Sequence, residues 1–139
     1  MKPKHKQAYM ETAYVFARCS VGQRLKVGAV IVKDNRIVGC GYNALPAHLD
    51  GPLEDENNRT RPEVRHAEMN ALIGIMKSNN SSVGTSLFCT HACCPKCAVE
   101  IVDAGVKEFY YAEEYRDSSG ITYLKENGVS VARLEIPTH

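Results

Sequence analysis

Lys26-Val27-Gly28-Ala29-Val30-Ile31-Val32-Lys33-Asp34-Asn35-Arg36-Ile37-Val38-Gly39-Cys40-Gly41-Tyr42 is the stretch from which the fold can be read. Its valine-rich first half predicts a buried strand over 26–33. Asp34-Asn35 is a turn dipeptide, and 36–42 predicts a second strand, so the whole stretch predicts a hairpin. Upstream, Tyr9, Thr12, Ala13, Phe16 and Cys19 recur at three- and four-residue spacing, predicting an amphipathic helix over 5–19. Downstream, 43–62 carries Pro46, Gly51, Pro52, Pro62 and the polar run 54–58. This predicts a loop of about 20 residues, a length at which loops in compact domains tend to be functional.

A helical pattern then runs from Pro62 to about Lys77, with Met69, Leu72, Ile73 and Met76 on its apolar side. Further on come a strand over 85–90 and a helix over 94–104 with Cys97, Ile101 and Ala104 on one face and Gly105 in the stop position. A strand over 106–112, a helix over 118–127 stopped by Gly128 and a strand over 129–135 complete the pattern. An opening hairpin followed by alternating helices and strands predicts a single α/β domain over 1–139. Its expected form is a three-layer αβα sandwich about a mixed five-stranded sheet.

Composition narrows the function classes. The 139 residues are 44% hydrophobic and 24% charged, which excludes disordered and collagen-like chains. Seventeen Lys+Arg against sixteen Asp+Glu leave a net charge of +1, no basis for a nucleic-acid-coating or membrane-coating protein. The longest apolar run, Val27–Val32, is far short of the ~20 residues that span a bilayer. The basic start Met1–Gln7 lacks a following apolar core, so no secretory signal is expected and the cytoplasm is the predicted location. In that reducing compartment six cysteines read as thiols, more often metal-binding or catalytic than disulfide-bonded. Cys19, Cys40 and Cys89 are expected to be small buried side chains; Cys93, Cys94 and Cys97 cluster and call for another explanation.

Two segments carry chemistry. His66-Ala67-Glu68 stands near the start of the second predicted helix, and Cys94-Pro95-Lys96-Cys97 opens the third. Pro95 suits a first helical turn, where its missing N–H costs nothing. Thiolates at a helix N-terminus are favoured by the exposed N–H groups and the dipole. One imidazole and two thiolates form a three-ligand Zn2+ set, and three protein ligands with an open fourth position mark a catalytic rather than a structural site. Glu68 lies in the turn that follows His66, where a carboxylate can serve the open position as proton carrier without being a ligand. The H-x-E then P-C-x-x-C signature is that of the zinc nucleobase deaminases. Two plainer readings compete: a closed four-ligand site using Cys93, and a redox dithiol. The second leaves His66 and Glu68 without a role.

The chain resembles the cytidine and deoxycytidylate deaminase superfamily, and within it the dCMP deaminases. The likeness rests on 27–32, Gly41-Tyr42-Asn43, His66–Leu72, Cys94–Cys97, Ala104-Gly105-Val106, Glu114-Tyr115 and Asn127-Gly128-Val129. The resemblance implies a cytidine deaminase-like fold and zinc held by His66, Cys94 and Cys97. It implies proton transfer by Glu68 during hydrolytic deamination of dCMP to dUMP, supplying dUMP for thymidylate synthesis. It also implies sugar binding by Asn43, a tyrosine beside the pyrimidine at Tyr115, and a contact from the Ala67 N–H to the base carbonyl. Asn43 also reads as a turn former and Tyr115 as ordinary packing. A homohexamer, activation by dCTP, inhibition by dTTP and Mg2+ accompanying a bound triphosphate are further implications. Two positions depart from the pattern: Cys93 stands where relatives usually have proline and is expected to be inert, and Ala44 stands where many have glycine.

A monophosphate substrate needs cations. Arg24 and Lys26 alternate along the approach to the first strand and so would share a side, with Lys26 the first expectation. Arg116, beside Tyr115, is a third; each also reads as a solvated surface charge. Other deaminase substrates (free cytidine or deoxycytidine, tRNA adenosine, guanine) and a non-catalytic zinc module remain alternatives.

Overall fold

The computed structural model describes residues 1–136. Its elements are α1 (Pro3–Ala17), β1 (Gly28–Lys33), β2 (Arg36–Tyr42), α2 (Ala67–Met76), β3 (Ser86–His91), α3 (Pro95–Asp103), β4 (Glu108–Glu113), α4 (Ser119–Glu126) and β5 (Ser130–Arg133). The hairpin forms as expected. Asp34 and Asn35 both adopt positive φ, at 51° and 57°, the twist a two-residue hairpin turn requires. β1 then also pairs antiparallel with β3, and β3, β4 and β5 run parallel, giving the order β2-β1-β3-β4-β5. The sheet is mixed and five-stranded, as predicted.

Alternation along the central strands sends side chains into two cores. Val30, Val32, Phe88, Tyr110 and Ala112 meet Met10 and Ala13 of α1. Ala29, Ile31, Leu87, Cys89 and Phe109 meet α2, α3 and α4 through Ala71, Ile75, Ile101 and Leu124. Being covered on both faces is why β1 reads as a continuous apolar run and why β3 is buried from Ser86 to Thr90. Helices therefore occupy both sides of the sheet, α1 on one and α2–α4 on the other.

Several boundaries and faces differ from the sequence reading. α1 starts at Pro3 and ends at Ala17, so Cys19 lies beyond it and is exposed. The buried stripe of α1 is Met10, Ala13 and Ala17. Cys40, on the edge strand β2, is exposed too, and only Cys89 of the three expected core thiols is buried. β1 begins at Gly28, leaving Lys26 and Val27 outside it, and the last strand stops at Arg133. α2 begins at Ala67 rather than near Pro62, and it buries Ala67, Glu68, Ala71, Leu72 and Ile75, while Met76 is 79% exposed.

The face of α2 follows from its neighbour. A Cβ on Gly41 would stand 2.6 Å from both the Ala67 carbonyl oxygen and the Ala71 nitrogen, so β2 and α2 meet backbone to backbone. Such close approach selects small residues, which an apolar count weighted towards Leu, Ile and Met overlooks. Gly41→Ala is therefore expected to cost about 1–3 kcal/mol through overpacking and to lower the thermal midpoint by several degrees. An unchanged midpoint would show that α2 is free to move off the sheet.

Candidate active site and metal centre

The N-termini of α2 and α3 meet in one place. Each helix is preceded by an extended residue that carries a chemically active side chain: His66 (φ −69°, ψ 158°) before α2 and Cys94 (φ −74°, ψ 162°) before α3. Pro95 opens α3 as its first residue, with the fixed φ that a first turn prefers. Cys97, one turn into α3, is buried and donates its backbone N–H to the Cys94 sulfur at 3.5 Å. Leading into α2, the long loop is pinned where it returns. Ala44 and Arg65 exchange backbone hydrogen bonds of 3.1 and 2.8 Å, and the Asn70 amide donates to the Tyr42 carbonyl at 2.7 Å. Arg65 in turn donates to Asn70 Oδ1 at 3.3 Å, so the end of β2 and the start of α2 are tied together.

The Nδ1 of His66 lies 3.1 Å from Cys97 Sγ and 3.5 Å from Cys94 Sγ. All three donor atoms fall within 4.8 Å of one another. A tetrahedral zinc with ligand bonds near 2.0–2.3 Å sets such donors about 3.6 Å apart, so an imidazole and two sulfurs in this array fit zinc in both type and spacing. Cys93, although buried, is not a member of this triad among the described residues. The three groups polarise one another. Hydrogen bonds from Cys97 and His66 lower the Cys94 thiol to about 4. The partnership with Cys94 raises His66, and the same partnership together with burial pushes Cys97 up. When a cation takes both sulfurs, Cys97 must give up its proton.

Glu68 follows His66 by two residues on the buried side of α2 and is 4% exposed. Burial pushes its carboxyl up, with His66 and a hydrogen bond to the Cys89 thiol opposing. A buried carboxyl held above its ordinary range is suited to general acid–base work. Cys89 reaches it from the adjacent face of β3, the one buried thiol that sequence reading left as plain core.

A cavity of about 540 Å3 opens over these groups. His66, Ala67, Glu68 and Cys94 line it from the helix ends; Arg24, Leu25, Val27 and Asn43 from the approach to β1 and the end of β2; and Leu53, Glu54 and Thr60 from the long loop. The ends of β3 and β4 contribute His91, Glu113, Glu114, Tyr115 and Arg116. Of the expected substrate contacts, Arg24, Asn43, Ala67, Tyr115 and Arg116 thus border one space, whereas Lys26 does not. Residues 24–27 are irregular and not strand, so the two-residue period that put Arg24 and Lys26 on one side does not operate there. Asn43 shapes this segment: its Oδ1 accepts from the Val27 N–H at 2.9 Å and its amide donates to the Leu25 carbonyl at 2.8 Å. One donor and one acceptor site of that amide remain for a ligand. The Arg116 guanidinium lies 6.0 Å from the centre of the Tyr115 ring.

Sequence reasoning did not single out Glu54, His91 or Glu113. His91 and Glu113 are held together at 3.5 Å, and Tyr14 of α1 donates to the same Glu113 oxygen at 2.6 Å. Glu54 is 7% exposed and accepts through Oε2 from the backbone N–H groups of Gln23 (2.9 Å) and Arg24 (3.2 Å). Its second oxygen, Oε1, is buried with no partner among the described residues. A single glutamate inside a polar run such as 54–58 has no periodic signal to betray its burial.

Residues 3–113 match the family described as the cytidine and deoxycytidylate deaminase zinc-binding region. ComE operon protein 2 of Bacillus subtilis is 35% identical over 136 residues, spanning 94% of this chain and 71% of its own. The deoxycytidylate deaminase of Saccharomyces cerevisiae is 32% identical over 96% of this chain, which spans 46% of that longer relative. Among solved structures, the dCMP deaminase of cyanophage S-TIM5, in complex with dCMP and dUMP, superposes with a TM-score of 0.94. It is 45% identical, and the match covers 96% of this chain and 99% of that one.

Proposed function

The chain belongs to the cytidine and deoxycytidylate deaminase family, and from that premise we propose that it hydrolyses the 4-amino group of dCMP to give dUMP and ammonia. The observation that carries this reading is the His66–Cys94–Cys97 triad with a buried carboxyl, Glu68, two residues from its histidine. His66, Cys94 and Cys97 would hold Zn2+, which acidifies a bound water enough to make it a nucleophile near neutral pH.

The chain's own groups then divide the remaining work. Glu68 takes a proton from the attacking water and delivers it to N3 of the pyrimidine. It next carries a proton to the departing amine, so that water's oxygen ends on C4, the C4–N4 bond breaks and ammonia leaves. The N–H of Ala67, first in α2 and without a partner inside the helix, is the natural donor to the base carbonyl. Tyr115 flanks the pyrimidine and Asn43 turns its free valences to the sugar. Arg24, with Arg116 at the opposite margin, takes the phosphate.

An ammonia-release assay over dCMP, deoxycytidine, cytidine and adenosine tests the proposal. Turnover should centre on dCMP, and equal turnover of the nucleosides would refute a nucleotide site. Arg24→Ala should raise the Michaelis constant for dCMP by about tenfold or more, the scale of a charge-assisted phosphate contact, and leave that for deoxycytidine nearly unchanged. Lys26→Ala, outside the cavity, should do neither.

The resemblance to dCMP deaminases supports a wider proposal. It comprises a cytoplasmic homohexamer that feeds dUMP to thymidylate synthesis, activated by dCTP with Mg2+ and inhibited by dTTP. Six free thiols suit a reducing compartment, and among the described residues no helix is long and apolar enough to cross a membrane. Segment 41–46, which joins β2 to the pinned loop, is where an effector would reach the site. Repeating the ammonia assay with each triphosphate, and light scattering for the oligomer, tests these points.

A further inference from the structure

The Glu68 carboxyl faces hydrocarbon on its sheet side, and the side chain that meets it there decides where it points. On the face against which α2 packs, the central strands present Ala29, Ile31, Leu87, Cys89, Phe109 and Tyr111. Ala29, Ile31, Leu87 and Phe109 have no polar side-chain atom, and the Tyr111 hydroxyl is committed elsewhere, donating to Glu114 Oε1 at 3.2 Å. Of this set, the Cys89 thiol is the group free to donate to a carboxylate. It does so: Glu68 accepts from the Cys89 thiol and from its own backbone N–H. Both side chains are shut off from solvent, with Cys89 0% and Glu68 4% exposed. Burial holds the Cys89 thiol well above its ordinary range, so it keeps its proton and serves as a donor.

These bonds do different work. The bond from its own N–H ties the Glu68 carboxylate only to the residue that carries it. The bond from Cys89 ties it to β3, the strand that runs through His91 into Cys94 and α3. His66 and Glu68 come from the start of α2, whereas both sulfurs of the triad follow β3. A link from Glu68 to β3 therefore sets the carboxylate against the sulfur half of the metal centre. Glutamate has several side-chain torsions, the last of them soft, while proton transfer requires its oxygen within hydrogen-bond reach of the reacting water. A thiol is a weak donor, which suits it to orient a carboxylate that must still take up a proton. We propose that Cys89 is a positioning residue, its thiol donating to Glu68 and holding the carboxylate towards the His66–Cys94–Cys97 triad. The inference rests on the reading of Glu68 as the proton carrier of a dCMP deaminase.

The test measures kcat and KM for dCMP in the zinc-loaded protein and in its Cys89→Ala and Cys89→Ser variants. Alanine and serine fill nearly the same space and differ by a hydroxyl, so the contrast between them reports the donor and not the packing. Cys89→Ala should lower kcat about tenfold, the scale of one net hydrogen bond. KM and zinc content should stay close to wild type, because Cys89 neither lines the cavity nor belongs to the triad. Cys89→Ser should recover most of the lost kcat. Alanine and serine variants that fall together, or an alanine variant with wild-type kcat, overturn the inference and leave the deaminase reading in place. A second measurement does not depend on how either variant folds. In the Raman spectrum of the zinc-loaded wild type, a thiol bonded to a carboxylate vibrates at lower wavenumber than a free one. Glu68→Gln, which removes the charged acceptor, should move one S–H band upward; coincident S–H spectra overturn the inference too. A wild type that releases no ammonia from dCMP overturns the functional reading and, with it, the role of Cys89.

Discussion

Glu68→Gln is expected to retain zinc and lose ammonia release from dCMP by at least ~10²–10⁴-fold, the range attached to a positioned general acid–base group. Glutamine keeps the size of the side chain on the buried face of α2, so the triad at His66, Cys94 and Cys97 should remain assembled. It carries no exchangeable proton of the right acidity, so every transfer that Glu68 performs is lost at once. Zinc content by atomic absorption and ammonia release in the same preparation decide the matter. Substantial turnover in the zinc-replete variant would remove Glu68 from the chemistry.

The same substitution should stabilise the fold, and the pH dependence identifies the cause. Burial raises the Glu68 carboxyl above its ordinary range, so the native state holds that proton after the unfolded chain has released it. Protein stability therefore falls as pH climbs from the unfolded carboxyl's value, near 4.3, through the raised native one, and levels off above it. Glutamine has no such loss. In the metal-free protein the variant and wild type should melt together at low pH and diverge in the variant's favour as pH rises. A gap that stayed constant with pH would point to packing and not to the carboxylate. Activity at this position is thus obtained at the expense of stability, a common feature of catalytic groups.

How much was legible in the sequence depends on which physical rule each segment obeys. The hairpin was legible because Val30–Val32 and Asp34-Asn35 obey strong local rules: β-branched residues favour the sheet, and two positive-φ residues close it. The triad was legible because zinc demands particular atoms, and few chemistries ask for His66, Cys94 and Cys97 together with a carboxylate at Glu68. The face of α2 was not, because Ala67 and Ala71 are buried by the absence of a side chain on Gly41, a property of a different strand. Lys26 was misplaced because a strand rule was carried two residues beyond the strand's start at Gly28. Glu54 was invisible for a further reason. Its burial is produced by a loop folding back onto Gln23 and Arg24, contacts separated by about 30 residues that no local periodicity encodes.

Cys97→Ser is expected to remove both the zinc and the activity, and to do so more completely than any change at the cavity wall. Cys97 is the buried member of the triad, 3.1 Å from the imidazole, and its own hydrogen bond is the first cause of the lowered pKa of the Cys94 thiol. Serine replaces a soft thiolate by a hydroxyl that does not ionise near neutral pH, so one thiolate ligand disappears even though the hydroxyl can still donate to Cys94. One remaining thiolate and one histidine should leave metal content well below one zinc per chain and ammonia release at background. Binding to the native state stabilises it by RT ln(1 + [L]/Kd). Added zinc should therefore raise the melting temperature of the wild type stripped by a chelator and barely move that of Cys97→Ser. Cys93→Ala is the matched control: its thiol is buried beside the site yet outside the triad, so that variant should keep zinc, the zinc-dependent thermal shift and turnover. If Cys93→Ala lost the metal while Cys97→Ser kept it, the ligand set would have to be redrawn around Cys93, and the open position on which the hydrolysis depends would have to be sought elsewhere.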